Sequence, residues 1–145
     1  MVTDLSSNYT SPAGKEFTRA AGRFAGIHPA SRVLDMGCGY GDGACNIAEE
    51  FRCKVTAIDN DEDNIAFARQ NSIERGVSHL IQFECMDILT ADFTAEPFEC
   101  ILAEGGVLSF VGRKKGLEKI NAWLISRGWC AVWDLTFHSD SVPDE

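Results

Sequence analysis

The spacing of apolar and polar positions changes repeatedly along this chain. Phe17, Ala20, Ala21 and Phe24 recur at i, i+3, i+4 and i+7, the spacing of one helix face, with Ser11 and Pro12 as its entry and Gly26 and Pro29 as its stop. The period then shortens. RVLDM (32–36) is an apolar run of strand length, a glycine-rich loop follows it, and Ala44, Ile47, Ala48 and Phe51 return to helical spacing. KVTAID (54–59) predicts a second strand, Asp61 an N-cap, and Ile65, Ala68 and Ile73 a helix running to Gly76. Alternation of Ile81, Phe83 and Cys85 marks a third strand over 80–87, and FECILA (98–103), behind a loop closed by Pro97, marks a fourth. Leu117, Ile120 and Leu124 predict a further helix, Arg127 and Gly128 a turn, and WCAVWDLTF (129–137) a fifth strand.

Strands that alternate with helices predict an α/β fold: a mostly parallel sheet with helices on both faces, three layers in the order αβα. Right-handed crossovers place the strands in the order 3-2-1-4-5. The order reverses between strands 1 and 4, so a ligand is expected at the carboxyl end of strand 1. No repeat or linker divides the chain, and 145 residues bury roughly 70% of the surface of the unfolded chain, so 1–145 reads as one domain.

Thirteen Lys and Arg against 22 Asp and Glu leave a net charge of −9, which repels a nucleic-acid backbone at long range. Arg113, Lys114 and Lys115 read as a solvated helix start. Six cysteines form no CxxC pair and sit mostly in apolar runs, which argues against a zinc site or a disulfide framework and predicts a reducing, cytoplasmic location. His28, His79 and His138 are isolated. The start carries no signal-peptide pattern, and no apolar run is long enough to span a bilayer, so no membrane partner is expected.

The loop VLDMGCGYGDG (33–43) carries the chemistry. Gly39, Gly41 and Ala44 satisfy GxGxxA, and Asp59 stands 20 residues beyond Gly39, the spacing of a dinucleotide fingerprint and hence of an NAD-dependent oxidoreductase. Asp35 weighs against that: its carboxylate would oppose a pyrophosphate at the loop. S-adenosylmethionine brings no phosphate but an ammonium and a sulfonium, which suit an acid in that place. Asp59 could then hold the ribose hydroxyls and Asp87 the adenine amino group, with Asn60 and Ile88 beside the base. A purely structural alternative is a strand-end hydrogen-bonding residue at 35, a turn former at 59 and an Asx turn at 87. Cys38 reads as filler, since no base is paired with it in its own segment.

In combination these stretches resemble the class I S-adenosylmethionine-dependent methyltransferases, Rossmann-like enzymes: VLDMGCGYGDG is similar to their motif I, VTAID to the acidic second motif and FECMDIL to the adenine-binding motif. The likeness runs from about residue 30 to 137. AEGGVLSFVGRKKGL (103–117) with WDLTFHSDSVPDE is similar to a UbiE/COQ5-like small-molecule branch, from whose pattern Ala103 and Gly106 depart. The resemblance implies that Asp35, Gly37, Gly39 and Gly41 line the methionine half, Asp59 and Asn60 the ribose, and Met86, Asp87 and Ile88 the adenine, with Glu104 facing the sulfonium. It also implies that residues 1–29 fold over the cofactor, through Tyr9, Thr10 and Ser11, upon a core of 30–145.

Transfer of a methyl group to a small-molecule acceptor would need positioning, exclusion of water and, for a protonated acceptor, a base. Glu104 is the candidate for that base or for steadying the sulfonium. Relatives continue past strand 5 with a helix and a hairpin, so this chain reads as one lacking that C-terminal part. Two expectations follow: a homodimer through the edge of strand 5, where Trp129 and Trp133 alternate, or a catalytically incomplete cofactor-binding module that needs a partner or a further segment. The acceptor itself is not legible.

Overall fold

Short apolar runs become the inner strands here because they are buried on both faces of a parallel sheet, whereas the edge strands are partly exposed. The computed structural model describes residues 14–134; the expected helix entry at Ser11 and Pro12, together with Tyr9, Thr10 and His138, lies outside them. Strands β1 (Arg32–Met36), β2 (Lys54–Asp59), β3 (Ile81–Cys85), β4 (Phe98–Ala103) and β5 (Leu124–Val132) form one parallel sheet in the order β3-β2-β1-β4-β5. Asp35 is in register with Ala57 of β2 and Leu102 of β4, and Asp59 with Cys85 of β3. The carboxyl ends of the inner strands therefore finish side by side, at the point where the strand order reverses.

Helices α1 (Lys15–Phe24), α2 (Asp42–Phe51) and α3 (Glu62–Glu74) cover one face, and α4 (Val107–Val111) with α5 (Arg113–Trp123) the other. The Asp61 side chain caps α3 by accepting from the Asp63 and Asn64 N–H groups at 2.8 and 3.3 Å. The second core cluster is built on Trp123, fully buried, with Phe93 edge-on to it at 5.2 Å. No helix of the described residues is long and apolar enough to cross a membrane.

Helix faces differ from the periodic expectation, and the cause is close packing of small residues. On α1 the buried positions are Thr18 and Gly22, not Phe17, Ala20, Ala21 and Phe24. Gly22 lies against Phe51 of α2 so tightly that a Cβ would come within 2.4 Å of its ring. Phe24 is instead 74% exposed and meets Trp129 edge-on at 4.8 Å, beside an open apolar groove. On α3, Ser72 is buried in place of Ile73; on α5, Gly116, Ile120 and Trp123 face inward while Leu117 is exposed and Leu124 begins β5. The expected turn at Arg127 and Gly128 lies inside β5. Pairing with β4 jumps from Phe98↔Leu124 to Cys100↔Trp129, so residues 125–128 bulge opposite Glu99, with Arg127 at φ 65°. Helix α4 has no counterpart among the expected elements, since five residues are too few for a periodic signature.

Candidate functional site

The loop after β1 is held down by its neighbours. Gly37 and Cys38 both donate their N–H groups to the Ile58 carbonyl at 2.9 Å, and Gly41 donates to Cys38 O at 2.9 Å before α2 begins. Gly37 has φ 77°, and a Cβ there would stand 2.6 Å from Val107 Cγ2, so this position admits only glycine. The Gly39 N–H donates to Asp59 Oδ2 at 2.9 Å, which ties the loop to the end of β2.

Two cavities open on this loop and share Gly37, Glu104 and Gly105 as a common wall. The larger, about 420 Å³, is lined by Asp59, Asn60, Asn64, Met86, Asp87 and Ile88 on the β2 and β3 side, and by Val107, Phe110 and Val111 of α4 on the other. The smaller, about 160 Å³, is lined by Asp35, Cys38, Gly39, Asp42 and Gly43. Among the described residues lining either one, five are acids and none is Lys, Arg or His.

Asp35 is 4% exposed, and its Oδ2 has no hydrogen-bond partner. Burial first, and then the negative charge of Glu104, push its carboxyl from an ordinary value of 3.8 up to about 8; Asp59 and Asp42 add to the rise, and the Ala44 N–H hydrogen bond opposes it. Glu104, just beyond β4, lies 2.9 and 3.0 Å by its two oxygens from the Thr18 hydroxyl of α1. Asp59 Oδ1 accepts from the Asp61 N–H at 3.0 Å and from the Asn64 side-chain amide at 3.2 Å. Asp87 Oδ1 accepts from the Leu89 N–H at 2.8 Å, the Asx turn of the structural alternative, while the residue still lines the larger cavity. The Cys38 thiol is pushed far above its ordinary value, chiefly by burial and then by Asp35, which disfavours the thiolate that a nucleophile needs.

Of the sequence-derived site residues, Asp35, Gly37, Gly39, Asp59, Asn60, Met86, Asp87, Ile88 and Glu104 line one or both cavities. Gly41 does not. It takes φ 79° at the N-cap of α2, with Ala68 and Phe83 against it, so its place is in the turn and the helix packing. Tyr9 lies outside the described residues. Thr18 and Asn64 went unpredicted. Asn64 stands within the first turn beyond the Asp61 cap and so faces back toward Asp59, a proximity that the cap itself signals.

Residues 33–128 match a family described as "Methyltransferase domain". The chain belongs to this family. Among curated relatives of the methyltransferase domain, a phosphoethanolamine N-methyltransferase of Zea mays is 29% identical over 126 residues, covering 87% of this chain and 25% of that protein. A sarcosine/dimethylglycine N-methyltransferase of Halorhodospira halochloris is 32% identical over 118 residues, covering 81% and 42%. The chain thus spans about a quarter to a half of the length of the curated relatives it matches. Among solved structures, YjhP of E. coli superposes with a TM-score of 0.74 at 24% identity, covering 85% of this chain and 50% of that one. A methyltransferase of Geobacter sulfurreducens in complex with S-adenosyl-L-homocysteine gives 0.71 at 23%, covering 85% and 49%. The five-stranded order of the sheet is shared with these neighbours.

Proposed function

We propose that this methyltransferase domain binds S-adenosylmethionine and transfers its methyl group to a small-molecule acceptor. The observation that carries the proposal is Asp35 Oδ2, a buried oxygen without a partner in the wall of the smaller cavity. A ligand ammonium there supplies the missing donor and a compensating charge, whereas a pyrophosphate supplies neither. Gly37 and Gly39 let the ligand approach bare backbone. Asp59 Oδ2 keeps acceptor capacity for a ribose hydroxyl; Oδ1, already accepting from Asp61 and Asn64, takes a second one if the Asn64 amide gives way. Met86 and Ile88 offer apolar contact to the adenine, and the second oxygen of Asp87 an acceptor to its amino group.

Bound there, S-adenosylmethionine supplies a methyl carbon activated by its sulfonium, so the leaving thioether needs no acid. Glu104, in the wall that the two cavities share, presents a carboxylate where the ligand's cation and an acceptor would meet, and can steady the one or take a proton from the other. Proximity and exclusion of water would supply most of the rate.

The names of the relatives, N-methyltransferases of phosphoethanolamine and of sarcosine, support a small amine as the first acceptor to try. The narrower UbiE/COQ5-like reading rests on the sequences of residues 103–117 and 133–145 and stays within the same small-molecule class. We read 1–145 as one unit, with 1–29 covering the cofactor. The six free cysteines favour the cytoplasm, and the β5 edge, with Trp129 47% exposed, favours a homodimer. Light scattering at high concentration that finds only monomer would remove the dimer.

The test is a thermal-shift series with S-adenosylmethionine, S-adenosylhomocysteine and NAD, followed by turnover to S-adenosylhomocysteine with a panel of amines. Both adenosyl ligands should raise the melting midpoint by linkage; a rise with NAD alone would overturn the proposal. Binding without turnover of any acceptor would favour the incomplete-module reading.

A further inference from the structure

We infer that Thr18 of α1 is a positioning residue that fixes the Glu104 carboxylate in the wall between the two cavities; the inference rests on the cofactor reading above. Thr18 is fully buried, and its hydroxyl reaches both Glu104 oxygens, at 2.9 and 3.0 Å, across 86 residues of sequence. Glu104 needs such a hold. It stands at the end of β4 next to Gly105, at φ 80°, with the carboxylates of Asp59 and Asp42 and the neutral carboxyl of Asp35 in the walls of the same cavities, and repulsion among the charged groups would drive an unheld side chain out toward solvent.

The chemistry of the donor matters as much as its place. An arginine or lysine at position 18 would hold Glu104 equally well but cancel its charge, and the cavities would lose part of their pull on a cation. A hydroxyl orients the carboxylate and leaves its charge in place. The helix that carries Thr18 is itself anchored, because Gly22, one turn further on, lies against Phe51 and Ile47 of α2. Helix α1 thereby sets the position of a charge in the cofactor site although none of its residues lines either of the two cavities.

The inference is tested by a double-mutant cycle on the full chain, with S-adenosylmethionine affinity measured by calorimetry in the absence of acceptor. Thr18→Val, similar in shape but without the hydroxyl, should weaken binding roughly tenfold, the scale of one charge-assisted hydrogen bond. Thr18→Ser should recover most of that loss. In a Glu104→Ala background Thr18→Val should cost nothing further. Equal losses in both backgrounds, an unchanged affinity in Thr18→Val, or no recovery in Thr18→Ser would each overturn the inference while leaving the cofactor reading intact. A wild-type chain that binds neither S-adenosylhomocysteine nor S-adenosylmethionine overturns that reading instead.

Discussion

Binding of the cofactor should release a proton, because Asp35 is held neutral in the free protein and must be charged to pair with an ammonium. Its carboxyl stands at about 8, pushed there by burial and by Glu104, with Asp59 and Asp42 contributing. At pH 6 the ionised fraction is then about one in a hundred, and each pH unit gained is worth 10-fold in binding, or about 1.4 kcal/mol. From pH 6 to 7.5 the dissociation constant of S-adenosylmethionine should fall about twentyfold, the slope easing as Asp35 nears half-ionisation. Above about pH 8 it should level and rise again, as the free ligand's α-amino group loses its own proton near its ordinary value. Calorimetry at pH 6.5 in two buffers of different ionisation enthalpy should report release of about one proton. Asp35→Asn should bind more weakly with a nearly flat profile. The stability of the free protein runs the opposite way: a carboxyl raised from 3.8 to about 8 contributes stability that is fully present below pH 3.8 and is lost as pH rises through 8. Asp35→Asn should therefore be the more stable form at pH 8.5, by on the order of a few kcal/mol, and lose that advantage at pH 4. A pH-independent affinity in the wild type with no proton released would refute the reasoning.

Gly37→Ala places a methyl group 2.6 Å from Val107 Cγ2 at φ 77°, and should cost about 1–3 kcal/mol in urea denaturation along with most of the cofactor affinity. Asp59→Ala removes the acceptor of the Gly39 N–H and of the Asn64 amide, and should weaken S-adenosylhomocysteine roughly ten- to a hundredfold by calorimetry. Trp123→Ala empties the centre of the cluster around α5 and should cost about 3–5 kcal/mol of stability by denaturant titration.

The strands were legible because a parallel strand buried on both faces is a run of apolar residues with little else in it: β1, β2 and β4 stand where 32–36, 54–59 and 98–103 place them. Helix faces were less legible, since close approach selects for small size, a property that apolar periodicity does not record. Gly22 and Gly116 are buried where Phe24 and Leu117 are exposed. The start of β5 was displaced, from 129 to Leu124, because the strand runs through a bulge at Arg127, and a turn signature cannot distinguish a bulge from a break; residues 135–137 of the expected strand lie outside the described ones. In the site, residues fixed by a strand end or by the glycine loop could be read from spacing. Thr18 could not, because its contact with Glu104 depends on how α1 lies against α2, and a lone threonine in a helix carries no mark of its distant partner.

The same loop geometry serves dinucleotides and S-adenosylmethionine, and the direction of the pH dependence separates them. A pyrophosphate about 4 Å from an ionised Asp35 would be opposed by about 4 kcal/mol per charge at an effective dielectric constant of 20, so a dinucleotide could enter only while Asp35 keeps its proton and would bind better as pH falls. An ammonium ligand does the reverse. S-adenosylhomocysteine has the ammonium but no sulfonium, and should show the same rise in affinity from pH 6 to 7.5 as S-adenosylmethionine. Methylthioadenosine keeps the ribose and adenine but has no amino-acid part, and its affinity should be flat over that range and unaltered by Asp35→Asn. A slope shared by methylthioadenosine would place the titrating group in the larger cavity, and a slope seen only with S-adenosylmethionine would tie it to the sulfonium; either result would remove Asp35 as the partner of the ammonium.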